Sequence, residues 1–128
     1  MSDFRMTTTL LIQGLRLQAR HGVTPAEREH PQWFRIDLEA EVDCTEAMQT
    51  DDLSGTVSYA DLYALLRREM DQPSCLLEHV AARILQALRR DYPSLGRIRL
   101  RLLKEAPPVE GRCCEGCGLE IEEMKNEE

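Results

Sequence analysis

The sequence predicts an α+β domain: an antiparallel four-stranded sheet with two helices on one face, in the chain order ββααββ. Three observations lead there. Residues 34–43 alternate strictly, with Phe34, Ile36, Leu38, Ala40 and Val42 set against Arg35, Asp37, Glu39, Glu41 and Asp43, a strand with one buried and one wetted face. Two central stretches, about 58–70 and 76–90, instead repeat their apolar residues at helical spacing. Ile98, Leu100 and Leu102 then return to alternation with Arg99 and Arg101. Two helices set between two strand pairs, with no internal repeat or low-complexity linker, give a sheet covered on one side.

In chain order, residues 1–7 read as a flexible lead-in. The first strand runs from Thr8 to Arg20, where Leu15, Leu17 and Ala19 alternate with Arg16, Gln18 and Arg20. His21-Gly22-Val23-Thr24-Pro25 ends it in a turn, and Ala26 to Pro31 reads as a polar loop or short helical turn carrying Glu27 and Glu29. After the second strand, one helical turn is expected around Glu46-Ala47-Met48. Ser58 and Asp61 then have the spacing of a capping box, followed by the stripe Leu62, Leu65, Leu66 and Met70. Pro73-Ser74 separates this helix from the next, whose stripe is Leu77, Ala81, Ile84 and Leu88, with His79 expected to cap it. Tyr92-Pro93-Ser94 and Gly96 end that helix. The third strand delivers Lys104 at its end. Ala106 to Gly111, with two prolines, reads as a rigid loop. Gly118 to Glu123 is the last strand, with Leu119 and Ile121 inward, and residues 124–128 are an acidic flexible tail.

At 128 residues the chain is one domain, long enough for a modest core. Its formal charge of −7 argues against a nucleic-acid backbone or an anionic membrane surface as partner. No apolar run reaches the length of a membrane span or a signal peptide, so a cytoplasmic protein is expected. An odd number of cysteines, Cys44, Cys75, Cys113, Cys114 and Cys117, points to free thiols. Cys114 and Cys117 have the spacing of half a zinc site, without a second pair at a matching interval.

The wetted sheet face gathers Arg16, Arg20, Arg99 and Arg101 with Asp37, Glu39, Glu41, Glu120 and Glu122, which calls for water or cross-strand ion pairs. The first two strands are long for so small a domain, and long free edges invite pairing with other chains. An oligomer, a ring or barrel with the charged face inside, is therefore expected.

Four polar residues stand at element ends, where sites are usually built: Glu27, Tyr59, Glu78 and Lys104. Only Lys104 and Lys125 among the sixteen basic residues are lysines, and lysine, unlike arginine, gives up a proton when its surroundings demand it. Two acids, a phenol and an amine suit proton transfer on a small polar heterocycle. No G-x-S-x-G turn or glycine-rich phosphate loop is present.

Four stretches, HGVTPAERE followed by Gln32 to Asp37, DDLSGTVSYADL, LLEHVAARI and LLKEAPPVEG, occur in the order and spacing of one family. In them the chain resembles the dihydroneopterin aldolases of folate biosynthesis, from about Leu10 to Ile121. The resemblance implies the tunnelling fold, tetrameric rings commonly stacked as octamers, and active sites between subunits. It implies retro-aldol cleavage of dihydroneopterin to hydroxymethyl-dihydropterin and glycolaldehyde, with neither Schiff base nor metal, and no cofactor. It assigns catalytic roles to Lys104, Tyr59 and Glu27, and pterin binding to Glu78, Leu77, Val57 and Ser58. The rivals are a dihydroneopterin-triphosphate epimerase of the same fold, for which Arg28 and Arg112 would supply positive charge, and a non-enzymatic metal or redox module on Cys113, Cys114 and Cys117. A zinc-dependent pterin synthase is disfavoured, because His21, His30 and His79 lack ligand spacing.

Overall fold

A computed structural model describes residues 3–105 and 114–126. The elements are β1 (Thr9–Ala19), α1 (Pro25–Glu29), β2 (Gln32–Glu41), α2 (Thr45–Thr50), α3 (Tyr59–Met70), α4 (Leu77–Asp91), β3 (Ile98–Glu105) and β4 (Gly116–Glu123). A 3-10 turn, Leu53–Gly55, separates α2 from α3. The predicted rigid loop at 106–111, Arg112 and Cys113 lie outside the described residues.

The four strands form one sheet in the order β1-β2-β3-β4, every neighbouring pair antiparallel. Strand alternation decides its two faces. Phe34, Ile36, Leu38, Ala40, Ile98, Leu100 and Leu102 are all essentially inaccessible, and they share one core with Leu62, Leu65, Leu66 and Met70 of α3 and with Val80, Ala81, Ile84 and Leu88 of α4. Burial on this scale, about 1.5–3 kcal/mol for each large side chain, is what holds the helices to the sheet.

The opposite face is laced with ion pairs: Arg35 with Asp37, Arg99 with both Glu39 and Glu122, and Arg101 with Glu120. Arg16 of β1 reaches Glu105 of β3 through Nε (2.8 Å) and Nη2 (3.1 Å), with its guanidinium 4.1 Å from the centre of the Trp33 ring. Exposed pairs of this kind each add at most about 1 kcal/mol; their effect is to keep the face from closing on an apolar layer. Arg20, expected among them, lies just beyond the end of β1.

β1 departs from simple alternation. Its register on β2 shifts between Ile12 and Leu15, where Gly14 adopts φ +66° and its N–H donates to Asp37 Oδ1 at 2.7 Å. This bulge reverses side-chain parity, so that both Leu10 and Ile12 before it and Leu15, Leu17 and Ala19 after it pack toward the core.

Four local expectations need correction. Ser58 has the extended backbone of a helix cap, but its hydroxyl makes no capping bond; α3 starts on backbone geometry, with the Leu62 N–H on the Ser58 carbonyl at 3.1 Å. His79 does not cap α4 either, since its Nδ1 meets Ser74 Oγ at 2.8 Å. Leu77 is half-buried at the helix start, and Val80 takes the buried position there. β4 begins two residues earlier than expected, at Gly116.

Candidate active site

Lys104 is the last inward-facing residue of β3, on the same parity as Ile98, Leu100 and Leu102. That parity carries an ammonium group to the edge of the core, where Lys104 is 8% exposed. A buried cation must be paired. Its Nζ donates to the His21 carbonyl at 2.9 Å and to Glu27 Oε2 at 2.5 Å, and lies 5.8 Å from the centre of the Phe34 ring.

Glu27 is held from two sides. Thr24 caps α1, with Pro25 supplying the preset φ of a first helical residue. The Thr24 N–H and hydroxyl both donate to Glu27 Oε1 (3.2 and 3.0 Å), while the Glu27 N–H donates back to Thr24 Oγ1 at 3.3 Å. One carboxylate oxygen thus belongs to the cap and the other to Lys104. The Lys104 hydrogen bond, helped by those from Thr24, holds the Glu27 carboxyl below the usual carboxylate range. Gly22 makes room for this: a Cβ there would lie 2.3 Å from Glu27 Cβ. Gln32 steadies the loop by donating its amide to the carbonyls of Glu27 and His30. Arg28, a candidate for phosphate binding, donates instead to the Gly22 and Val23 carbonyls at 2.9 and 2.8 Å.

His21, expected as a turn residue, is instead part of the buried core beside the site. It is 1% exposed, edge-on to Phe34 at 5.1 Å between ring centres. Its Nδ1 accepts the Ser74 N–H at 3.1 Å, the Gly22 N–H donates to the Ser74 carbonyl at 3.0 Å, and Arg83 donates to Ser74 Oγ at 3.0 Å. The end of β1 is therefore tied to the segment that launches α4. Burial, reinforced by the positive charge of Arg83, pushes the His21 pKa down to about 4, so the ring is neutral. Its Nε2 has no hydrogen-bond partner among the described residues.

α4 begins beside this pair. Leu76 precedes it with no side-chain cap, and Glu78 lies in the first turn, exposed, with no partner for its carboxylate among the described residues. His21, Gly22, Val23, Glu27, Lys104 and the segment Cys75–Glu78 line one cleft of about 220 Å³. The structure thus brings Lys104, Glu27, Leu77 and Glu78 together. It does not bring Val57, Ser58 or Tyr59 to them within one chain: none lines this cleft, and Tyr59 is 63% exposed. Val57 lines another cleft of about 260 Å³, with Asp43 and Glu46, which contains no basic side chain. Size does not separate the two clefts; the paired lysine does.

A buried lysine paired with a carboxylate, beside a second carboxylate for a planar donor pair, is equipment for positioned proton transfer on a polar ring. Among the described residues no group of three or more His, Cys, Asp or Glu is placed to hold a metal, and no helix is long and apolar enough to cross a membrane.

Comparison with known proteins identifies a family. Residues 10–122 match the model of the FolB dihydroneopterin aldolase family. The chain is 35% identical over 117 residues to a Staphylococcus epidermidis dihydroneopterin aldolase, covering 91% of this chain and 96% of that one. It is 33% identical over 101 residues to the Bacillus subtilis dihydroneopterin aldolase, covering 78% and 84%. Among solved structures, Escherichia coli dihydroneopterin aldolase in complex with neopterin has a TM-score of 0.82 at 23% identity, covering 91% and 98%. A Burkholderia dihydroneopterin aldolase bound to guanine has a TM-score of 0.74 at 17% identity, covering 94% and 93%. The last two likenesses bear on the fold.

Proposed function

The chain belongs to the dihydroneopterin aldolase family, and from that premise we propose that it cleaves dihydroneopterin to hydroxymethyl-dihydropterin and glycolaldehyde, a step of folate biosynthesis. The observation that carries this reading is the buried Lys104 ammonium, shared between Glu27 and the His21 carbonyl in the cleft that Glu78 also lines.

The chemistry follows from the substrate's own functional groups. A retro-aldol cleavage needs a base for the side-chain hydroxyl proton and a sink for the electrons left on carbon. The dihydropterin C=N bond is that sink, so neither a Schiff base nor a metal is required. Lys104, through water, moves the protons, and Glu27 holds the diol and fixes the charge on Lys104. Glu78 accepts hydrogen bonds from the pterin's amino group and adjacent ring N–H, two parallel donors matched to two carboxylate oxygens, while the Leu77 backbone faces the ring. Holding the ring in one pose against Lys104 is a large part of the rate.

Tyr59, Val57 and Ser58 enter from an adjacent copy. Two facts support this: none of them lines the cleft of its own chain, and among the described residues β1 and β4 are the outer strands of the sheet, available for edge-to-edge pairing. Closing the sheet on itself through several copies gives a barrel whose lining is the ion-paired face, as a tetrameric ring or two stacked rings. Tyr59 then assists reprotonation of the intermediate, and Val57 and Ser58 close over the pterin. Epimerisation of a triphosphate substrate is the second reading; Arg28 holds the Gly22 and Val23 carbonyls through Nη1 alone.

The test is incubation of the purified protein with dihydroneopterin, following both products. Equimolar hydroxymethyl-dihydropterin and glycolaldehyde are expected; conversion to an epimer alone would contradict the assignment.

A further inference from the structure

The proposed reaction leaves Cys114 and Cys117 unused. Both are exposed within the single chain, and their Sγ atoms lie 3.8 Å apart, within thiol hydrogen-bond distance, Cys114 in the bend that leads into β4 and Cys117 in the strand. A disulfide holds its sulfurs about 2 Å apart, so a modest rotation in an exposed bend closes the gap. The two thiols share one hydrogen bond in which either sulfur can donate, and that contact pushes the Cys117 thiol up from its ordinary value. Cys114 lies in the bend and Cys117 in a paired strand, so Cys114 is assigned as the attacking sulfur and Cys117 as the one that resolves. The register of β4 on β3 sets Cys117 directly opposite Lys104, and opposed residues share a sheet face.

We propose that Cys114 and Cys117 form a reversible dithiol–disulfide site for low-molecular-weight disulfides of the glutathione class, placed so that its redox state is felt at Lys104. The second half rests on the role given to Lys104 above. In the exchange, the Cys114 thiolate attacks one sulfur of the external disulfide, whose S–S bond breaks and releases one thiol. Cys117 then loses its proton to solvent and attacks the Cys114 sulfur, displacing the second thiol. The protein loses two protons and two electrons, and the external disulfide gains them. Closing this four-residue loop draws in the start of β4, the strand that pairs with Lys104.

The test treats reduced, folded protein with oxidised glutathione, then reads intact mass, the mapped linkage and cleavage of dihydroneopterin. The expected result is a loss of two hydrogen masses, a Cys114–Cys117 link, and a severalfold fall in kcat that dithiothreitol restores. Cys114→Ser should form no link between these positions, and Cys117→Ser should retain a glutathione adduct on Cys114. A link made to Cys113 instead, or a lasting adduct on the unaltered protein, would overturn the site. A mapped disulfide with unchanged kcat would overturn its connection to Lys104. Reduced protein that cleaves nothing would overturn the functional reading and that connection with it, while the mapped linkage still reports on the site.

Discussion

The Nζ of Lys104 lies 2.5 Å from Oε2 of Glu27, across 77 residues of sequence. The two arrive there for unrelated local reasons. Strand parity drives the lysine inward, and a capping box fixes the acid at the start of a five-residue helix. Because the remaining oxygen, Oε1, is occupied by Thr24, the carboxylate has little freedom to follow any other partner.

That division makes Thr24 a positioning residue. Thr24→Val should cost about 1 kcal/mol of stability through the lost cap. It should also lower kcat severalfold with pterin affinity unchanged, while Thr24→Ser restores both. Steady-state kinetics beside a neopterin titration separate the two effects.

Gly22→Ala should be harsher than its size suggests. Its methyl would stand 2.3 Å from Glu27 Cβ, so the acid must leave Lys104. A fall in kcat of roughly 10²-fold, the scale of one displaced acid–base partner, is expected in a protein that still folds. Circular dichroism with kinetics checks it.

Glu78→Ala should act on binding. Removing a carboxylate that accepts two hydrogen bonds is expected to weaken neopterin roughly 10²-fold, with little change in kcat at saturation. Unchanged affinity in a fluorescence titration would remove Glu78 from its role as anchor.

Acid should destabilise the fold through His21. Its folded pKa, about 4, lies below the ordinary 6.5, so its neutral form is the folded one. The associated stability is complete above pH 6.5 and is lost as pH falls toward 4, by on the order of 3 kcal/mol at most. Glu27, whose pKa is also depressed, adds to the same loss at lower pH. Urea midpoints at these two pH values should converge less in the native protein than in His21→Gln, which keeps an acceptor for Ser74 but does not titrate.

Much of the fold was legible because it rests on parity and periodicity. The alternation in β2 and the stripes of α3 and α4 name most of the core correctly. The bulge at Gly14 was not legible: both halves of β1 read as plausible strand, and only pairing with β2 shows that the parity reverses. At the site, Lys104 and Glu27 stood out by residue type and place. His21 did not, because its importance lies in a carbonyl offered to Lys104 and a ring nitrogen offered to Ser74, neither of which has a sequence signature. Ser58 shows the opposite error, a correct helix start with no capping bond behind it.

The central claim is that Lys104 moves protons while Glu78 grips the ring, and one measurement addresses it directly: kcat for dihydroneopterin cleavage by Lys104→Ala, in protein shown to bind neopterin normally. A fall of roughly 10²–10⁴-fold is expected, the usual contribution of a positioned acid–base group. Cleavage at the full rate would contradict it.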